Sequence, residues 1–442
     1  MPPGLVGGIG PVSEDLLSVH GFSPAQQNFQ QAFDHLDRFL CHHKPLWTES
    51  AFSRNELSWI TKYPNLYGDL LALSEAEVLA LEQETKLGQF MTSYLMGPQT
   101  LPEGPLLTYP RVRWRAPEAL VLGVPERKRA QAEGFVSALM GSEIGLSSSA
   151  SGKRLLVDWC SGRGLLARQM HGASGALVVC LERDARLCQT GHLANLRLDP
   201  QMAEKVVFVV HDVMEAVPPP YLESSSLHTA LHACGDLHVS MLQQASRAGV
   251  QALACSPCCY HFTSQKVYQG LSQRGLKSAL KPTRDELRLA TAEISTANRL
   301  ERTLRHRELL WRVAFDLRVR QLRGVNSYCP TPSVRKSLLK TDFSTFAESL
   351  CQSLEARGRR DFDFPRLSEQ AEAKLLQQAQ SKLSKIMRLE KAQLAFRRAL
   401  ELWLLLDRAL FLQEKGYSVE IQEFCAKPHS GRNSVLLAWR SY

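Results

Sequence analysis

The chain has no apolar run that approaches the ~18–20 residues needed to cross a bilayer. Its most apolar stretch, Ala399 to Leu412, is interrupted by Glu401, Asp407 and Arg408. A basic segment followed by an apolar one is missing from the start, so no secretory signal is expected. There is no internal repeat of the kind that builds solenoids or propellers. A collagen-like or low-complexity character is excluded too, because the 27 Gly and 22 Pro are scattered without a period. The 11 cysteines are odd in number, and several sit inside apolar runs, which argues against a disulfide scaffold. Together these absences predict a soluble protein of a reducing, cytoplasmic compartment.

What is present suits a globular chain of 442 residues with room for two or three domains. Hydrophobic residues make up 44% and charged residues 22%. Lys and Arg total 53 against 44 acids, a net charge of +9. That surplus permits a polyanionic partner such as RNA without requiring one. Nothing points to DNA specificity, to a membrane or to an oligomeric state.

The first ~120 residues read as helical. Ser23 and Pro24 form a helix start, after which Phe29, Phe33, Leu36 and Leu40 share a face. Ser74 with Glu77 is a capping box. Tyr109–Pro117 reads as a strand or extended crossing, and on a strand Arg111, Arg113 and Arg115 would form one basic face suited to phosphates. Gly141–Gly152 reads as a loop.

From Arg154 the texture changes. Apolar runs at Leu155–Trp159, Ala176–Leu181, Val206–Val210, Thr229–His232 and Ala252–Cys255 alternate with spacers that suit helices, such as Leu165–His171 and Asp184–Leu198. This alternation predicts βαβ units and a parallel sheet. Thr283 with Glu286 is a second capping box. Residues 301–324 carry seven Arg against three acids, and Trp311, Val313, Phe315, Leu317 and Val319 leave helix and strand both open. Asn326–Phe364 reads as irregular, and Ser368–Lys415 as one long helical pattern stopped by Gly416. Ser418–Phe424 and Ser434–Trp439 close the chain as a β-hairpin. The expected division is 1–120 (helical), 121–324 (the sheet domain), 325–400 (a helical insertion) and 401–442 (a closing helix and hairpin).

The sharpest chemical signal is Val157-Asp158-Trp159-Cys160-Ser161-Gly162-Arg163-Gly164, a strand that ends in an acid and turns through glycines into a helix. Glycines let backbone approach a ligand, and the helix start offers free N–H groups. Glu182 closes the next strand, where an acid can bind both ribose hydroxyls. Asp212, followed by Val213, closes the third, where it can meet an adenine amino group. Gly162-x-Gly164-x-x-Ala167 also fits a dinucleotide fingerprint. A glycine turn with no ligand is a further reading. The closing hairpin favours S-adenosylmethionine over NAD, since NAD folds usually continue βαβ to the end.

Two more clusters follow, His232-Ala233-Cys234-Gly235-Asp236-Leu237 and Cys255-Ser256-Pro257-Cys258-Cys259-Tyr260-His261. Three cysteines and a histidine permit a zinc site, with Cys41-His42-His43 as distant donors, but no second Cys-x-x-Cys exists. Cys258 also fits a nucleophilic thiolate. The plainest reading has these cysteines shaping an acceptor pocket, with no metal. His232, Asp236, Cys258, Cys259 and His261 are the candidate acceptor-site residues, and His232 or His261 the better base.

The D-x-x-x-G-x-G turn, HACGDL and SPCCYH resemble the methyltransferase domain shared by eukaryotic methyltransferase-like proteins, the glutathione S-transferase C-terminal-domain-containing protein and bacterial relatives. Leu406-Asp407-Arg408, Leu412-Gln413-Glu414, Gly416 and Pro428-x-Ser430-x-Arg432-Asn433 resemble that family's closing helix and hairpin. The His/Cys-Gly and Cys-Cys-His elements are also similar to the tRNA acceptor-stem ribose methyltransferase. The resemblance covers residues 121–262 and 400–442. It implies a class I, Rossmann-like seven-stranded α/β fold and S-adenosylmethionine bound at Asp158, Cys160, Gly162, Gly164, Glu182, Asp212 and Val213. It also implies methyl transfer, with RNA as first acceptor and a protein, a small molecule or a silent RNA-binding role as alternatives. Cys160 stands where most such enzymes have glycine, and its Cβ is expected to require negative φ.

Overall fold

A computed structural model describes residues 29–95, 107–146, 154–292, 299–427 and 429–440. The Ser23–Pro24 start lies outside these residues. Seven strands form one sheet: β1 (Leu156–Trp159), β2 (Val178–Glu182), β3 (Val206–Val210), β4 (Leu227–Cys234), β5 (Ala252–Cys258), β6 (Ser418–Glu423) and β7 (Ser434–Trp439). Their order is β3-β2-β1-β4-β5-β7-β6. The first five run parallel, and β7 lies antiparallel to both β5 and β6.

Sequence texture accounts for this order. The largely apolar β5 and β1 are buried along their whole length, as strands covered on both faces must be. Edge strand β3 leaves Val207 and Val210 exposed. The spacers form the helices Leu165–Ser174 and Ala185–Leu198, the second capped by Asp184, whose Oδ1 accepts the Arg186 N–H at 2.8 Å. One apolar layer gathers Phe135, Leu139, Ala167 and Met170 over Leu156, Val178 and Ala254. The other gathers Met241, Leu242, Ala245 and Leu412 over Val157, Leu181 and Leu253. Strands β4 and β5 stay in step until Leu231, where a bulge shifts the register so that Cys234 lies opposite Cys258.

A third apolar cluster joins the N-terminal helices to those that follow the sheet. Phe33 stacks on Trp403 with ring centroids 5.5 Å apart, and Phe39 on Phe396 at 5.3 Å, which docks the helix Phe29–His42 against the helix Arg397–Glu414. His43 is buried, with Nδ1 2.9 Å from the Tyr63 hydroxyl, so it faces a tyrosine within the core rather than solvent.

Several local expectations are corrected. Tyr109–Pro117 crosses without forming a strand, and Arg111, Arg113 and Arg115 are exposed along an irregular path. The 301–324 segment is a helix, Arg299–Arg323. Its apolar residues touch neighbours on more than one side, which blurs the single-stripe pattern. Within it Asp316 is buried between Arg320 at 2.7 Å and Lys382 at 3.5 Å. Residues 326–364 contain the helix Phe343–Glu355, begun by Asp342, whose carboxylate accepts the Thr345 N–H at 2.8 Å. The 368–415 pattern is two helices, Glu369–Leu394 and Arg397–Glu414, parted at Ala395–Phe396 with neither Gly nor Pro to mark the break. Among the described residues no helix is long and apolar enough to cross a membrane.

Candidate functional site

The chemically suggestive residues converge at the carboxyl edge of the sheet. Asp158 lies deep in β1, opposite Cys180 and Thr229, and is 2% exposed. Its Oδ1 accepts the Thr229 hydroxyl at 3.4 Å, while Oδ2 is buried with no hydrogen-bond partner among the described residues. Burial, helped by the nearby Glu182 carboxylate, pushes its pKa up to about 8. The turn that follows is braced by Glu182. One carboxylate oxygen accepts the Gly162 N–H at 3.0 Å, and the other accepts the Asp184 N–H at 3.0 Å. A lone pair on each oxygen stays available to a further donor. Gly162 and Gly164 have φ of 58° and 70°. A Cβ on Gly162 would enter open space, whereas one on Gly164 would come within 2.7 Å of the Phe208 ring. Asp212 accepts the Met214 N–H at 3.0 Å and faces Arg183 at 3.6 Å. Val213 is buried, and its carbonyl accepts from Ser240 and Gln244.

Among the described residues Cys160, His232 and Cys259 are the non-glycine residues with positive φ, at 55°, 62° and 47°. Cys160 and Cys259 directly follow β1 and β5, and His232 lies in the bulge near the end of β4. The left-handed region costs an L-residue about 1–2 kcal/mol, and such strain gathers at functional sites. The expected negative φ at Cys160 is therefore overturned: the turn keeps the glycine geometry and the cysteine bears the strain. Burial, with Glu182 and Asp158 nearby, raises its thiol to about 12.

At the ends of β4 and β5 the partners come from afar. His232 Nε2 lies 3.0 Å from Gln131 Oε1, on the helix Glu126–Met140. Cys234 and Cys258 sulfurs are 3.4 Å apart, and the Cys234, Cys258 and Cys259 sulfurs all lie within 4.8 Å of one another. Arg432, in the β6–β7 connection, donates from Nη1 to Cys259 Sγ at 3.1 Å. The neighbouring Cys234 and Cys258 thiols together with Arg432 lower the Cys259 pKa, and hydrogen bonds to Cys234 and Cys259 raise that of Cys258. Cys255 is not in this group; it packs in the apolar layer below. The Cys255-x-x-Cys258 half-site is thus not assembled, because three residues along a strand reverse the side-chain direction.

Asp236 steadies the facing loop: its Oδ2 accepts the Ser264 N–H at 2.8 Å. Gly235 N–H donates to the Cys258 carbonyl at 2.9 Å and Asp236 N–H to the Phe262 carbonyl at 3.0 Å, so the two loops are laced together. His261 packs its ring on Phe262 and is half-buried, with its pKa lowered by burial. Behind them, Asp407 is fully buried and accepts the Leu271 N–H at 2.7 Å, the Ser272 N–H at 3.0 Å and the hydroxyls of Tyr268 and Ser272. Arg408 Nε donates to His238 at 2.8 Å, and its guanidinium lies over the Tyr260 ring, 4.8 Å from the centroid. The Leu406-Asp407-Arg408 motif is therefore a buried anchor for the 258–272 segment.

Sequence reasoning missed Gln131, which carries no motif, and the part Arg432 plays, although its motif was visible. Cys234 was legible in principle, since neighbouring parallel strands bring their ends together.

The sheet order and its antiparallel β7 define the class I methyltransferase fold. Residues 127–266 match a family model described as a methyltransferase domain. Solved structures similar to part of the chain include the CcbJ methyltransferase from Streptomyces caelestis, 18% identical over 30% of this chain and 52% of that one, TM-score 0.22. Geranyl diphosphate C-methyltransferase from Streptomyces coelicolor is 19% identical over 35% of this chain and 59% of its own, TM-score 0.23. The glycopeptide N-methyltransferase MtfA is 9% identical over 27% and 55%, TM-score 0.21. The chain spans little more than half the length of these structures.

Proposed function

We propose that this protein is an S-adenosylmethionine-dependent methyltransferase whose cofactor lies across the ends of β1, β2 and β3. The observation that carries the reading is the unpartnered, buried Asp158 Oδ2 beside an open glycine turn. A buried polar atom left without a partner is costly, and a cationic donor satisfies it. Such a donor draws the proton from Asp158 and holds the carboxylate. Glu182 offers one lone pair per oxygen to a pair of vicinal hydroxyls while bracing the turn. Asp212 accepts from an exocyclic amine, and Val213 supplies an apolar wall. When bound, S-adenosylmethionine supplies an electrophilic methyl group.

The remaining work falls to positioning and desolvation. His232 is held by Gln131 at the bulge of β4, and the laced 258–264 loop closes the edge at β5. We propose RNA as the acceptor. Arg113, Trp114 and Arg115 line a groove of about 680 Å³ against the Glu126–Met140 helix, the same helix whose Gln131 holds His232. Basic side chains beside an aromatic ring suit phosphates and bases. The sequence resemblance to the tRNA enzyme supports the same choice. A cleft of about 590 Å³ lined by Gly235, Asp236, Tyr268 and Arg408 favours a small-molecule acceptor as the second reading.

Calorimetry with S-adenosylmethionine and mass spectrometry of RNA nucleosides from cells with and without the protein test this. Binding and one missing methylated nucleoside are expected. No heat of binding overturns the cofactor assignment. Binding with unchanged nucleosides, and label from the methyl donor in the small-molecule fraction, overturns RNA in favour of the cleft.

A further inference from the structure

Three sulfurs at the acceptor end of the sheet are arranged as a donor set, and no step proposed above uses them. Parallel neighbours β4 and β5 bring Cys234 opposite Cys258, with sulfurs 3.4 Å apart. Alternation along a strand would send the next side chain, Cys259, to the other face. Its φ of 47° undoes that alternation and returns its sulfur to the same side. All three sulfurs then lie within 4.8 Å of one another. A tetrahedral ion with metal–sulfur bonds of ~2.3 Å sets its sulfurs roughly 3.8 Å apart, which falls within this spread.

The backbone around the cluster is fixed before any ion arrives. Cys258 and Cys259 carbonyls accept the Gly235 and Phe262 N–H groups at 2.9 and 2.8 Å. A Cβ on Gly235 would sit 1.8 Å from the Phe262 carbonyl oxygen, so the two loops meet only because this residue is glycine. Among the described residues no carboxylate belongs to the cluster, and an all-sulfur set selects a soft or borderline ion over magnesium or calcium. Three thiolates around a divalent ion leave one negative charge. Arg432 Nη1, 3.1 Å from Cys259 Sγ, lies where it compensates that charge as an outer-shell donor.

We infer that Cys234, Cys258 and Cys259 bind a zinc ion through three thiolates, with the fourth position left to solvent or an incoming ligand. Binding forms three zinc–sulfur bonds and displaces the thiol protons to solvent, with no change of oxidation state. The inference is independent of the S-adenosylmethionine reading.

The test uses the reduced full-length chain and needs no knowledge of the acceptor. Metal analysis of the purified protein is expected to give one zinc per chain. After chelation, Co2+ titration is expected to give a sulfur-to-cobalt charge-transfer band that Zn2+ bleaches. Zinc is expected to protect three of the 11 thiols from a thiol reagent. Cys234→Ser, Cys258→Ser and Cys259→Ser should each weaken Co2+ binding by more than the ~10–100-fold that loss of an outer-shell partner costs. Cys255→Ser, whose sulfur lies outside the cluster, should leave the band unchanged. A wild-type protein that gives no band and no thiol protection overturns the inference, as does a band that survives all three substitutions. Rapid alkylation of Cys259 unaffected by zinc, or a Cys234–Cys258 disulfide in place of metal, overturns it as well.

Discussion

The ends of β1–β3 and the ends of β4–β5 share one sheet edge but are assembled by different means. On the first side each feature is local. Asp158, the Gly162–Gly164 turn, Glu182 and Asp212 lie in or just after their own strands, and their hydrogen bonds stay within 20 residues, except that Asp158 also accepts from Thr229 of the adjacent β4, 71 residues on. On the second side the partners are remote in sequence. Gln131 is 101 residues from His232, and Arg432 is 173 residues from Cys259. Asp407 reaches back 135 residues or more to hold the 268–272 segment. A site made of strand tips is fixed once the sheet forms, whereas the other side also needs the closing helix and hairpin to dock.

The largest effect that separates the two sides is expected from Asp407→Ala. It strips a buried carboxylate from two N–H groups and two hydroxyls. Breaking such a network costs about 3–5 kcal/mol. Urea unfolding should show that loss, while hydrogen exchange rises at 258–272 and calorimetry finds cofactor affinity nearly unchanged. Equal loss on both sides would show that the two halves of the edge are one cooperative unit.

Asp158→Asn probes the opposite half. It keeps an acceptor for Thr229 but removes the charge that a cationic ligand needs. S-adenosylmethionine affinity should fall at least ~100-fold, the equivalent of about 3 kcal/mol. Metal and thiol chemistry at Cys259 should be untouched. An unchanged affinity would move the cofactor elsewhere.

The same residue predicts a pH effect on stability. Its pKa is about 8 in the folded chain against an ordinary 3.8, so the folded state keeps a proton that the unfolded state releases between those values. The Asp158 contribution to stability therefore falls as pH rises from about 4 to 8, by at most ~1.4 kcal/mol per pH unit. Unfolding of the ligand-free chain and of Asp158→Asn at pH 5 and pH 8 checks this. The substituted chain should gain on the native one at the higher pH, and a constant gap would mean that Asp158 is already ionised.

The smallest effect is expected at Cys160→Gly. Relief of the left-handed strain gives roughly 1–2 kcal/mol, and the extra freedom of glycine in the unfolded chain offsets about 0.5–1 of it. A net gain near 1 kcal/mol without loss of cofactor affinity should appear in thermal unfolding and calorimetry. A loss of affinity would show that the thiol itself contacts the ligand.

Legibility followed the same division. The apolar runs, the acids that end them and the closing hairpin were readable because short apolar runs and turn chemistry are local properties. The break at Ala395–Phe396 was not, since no residue there disfavours helix and only packing of Phe396 against Phe39 and His43 marks it. The helix Phe343–Glu355 was overlooked because flanking prolines drew attention from a run of Phe343, Phe346, Ala347, Leu350 and Leu354 that a helical period explains. The Arg111–Arg115 alternation suggested a strand, but within 110–117 no neighbouring strand offers a ladder to it.

By itself the sequence determined which segments become strands, which acids stand at their ends and where glycine lets the chain turn, because these follow from each residue's own backbone and burial preferences. Only the tertiary structure decided that Cys259 rather than Cys255 joins Cys234 and Cys258, that Gln131 holds His232 and that Asp236 serves a loop. Those outcomes depend on strand register, on one left-handed residue and on contacts closed by helices and a hairpin far along the chain, and no local propensity encodes them.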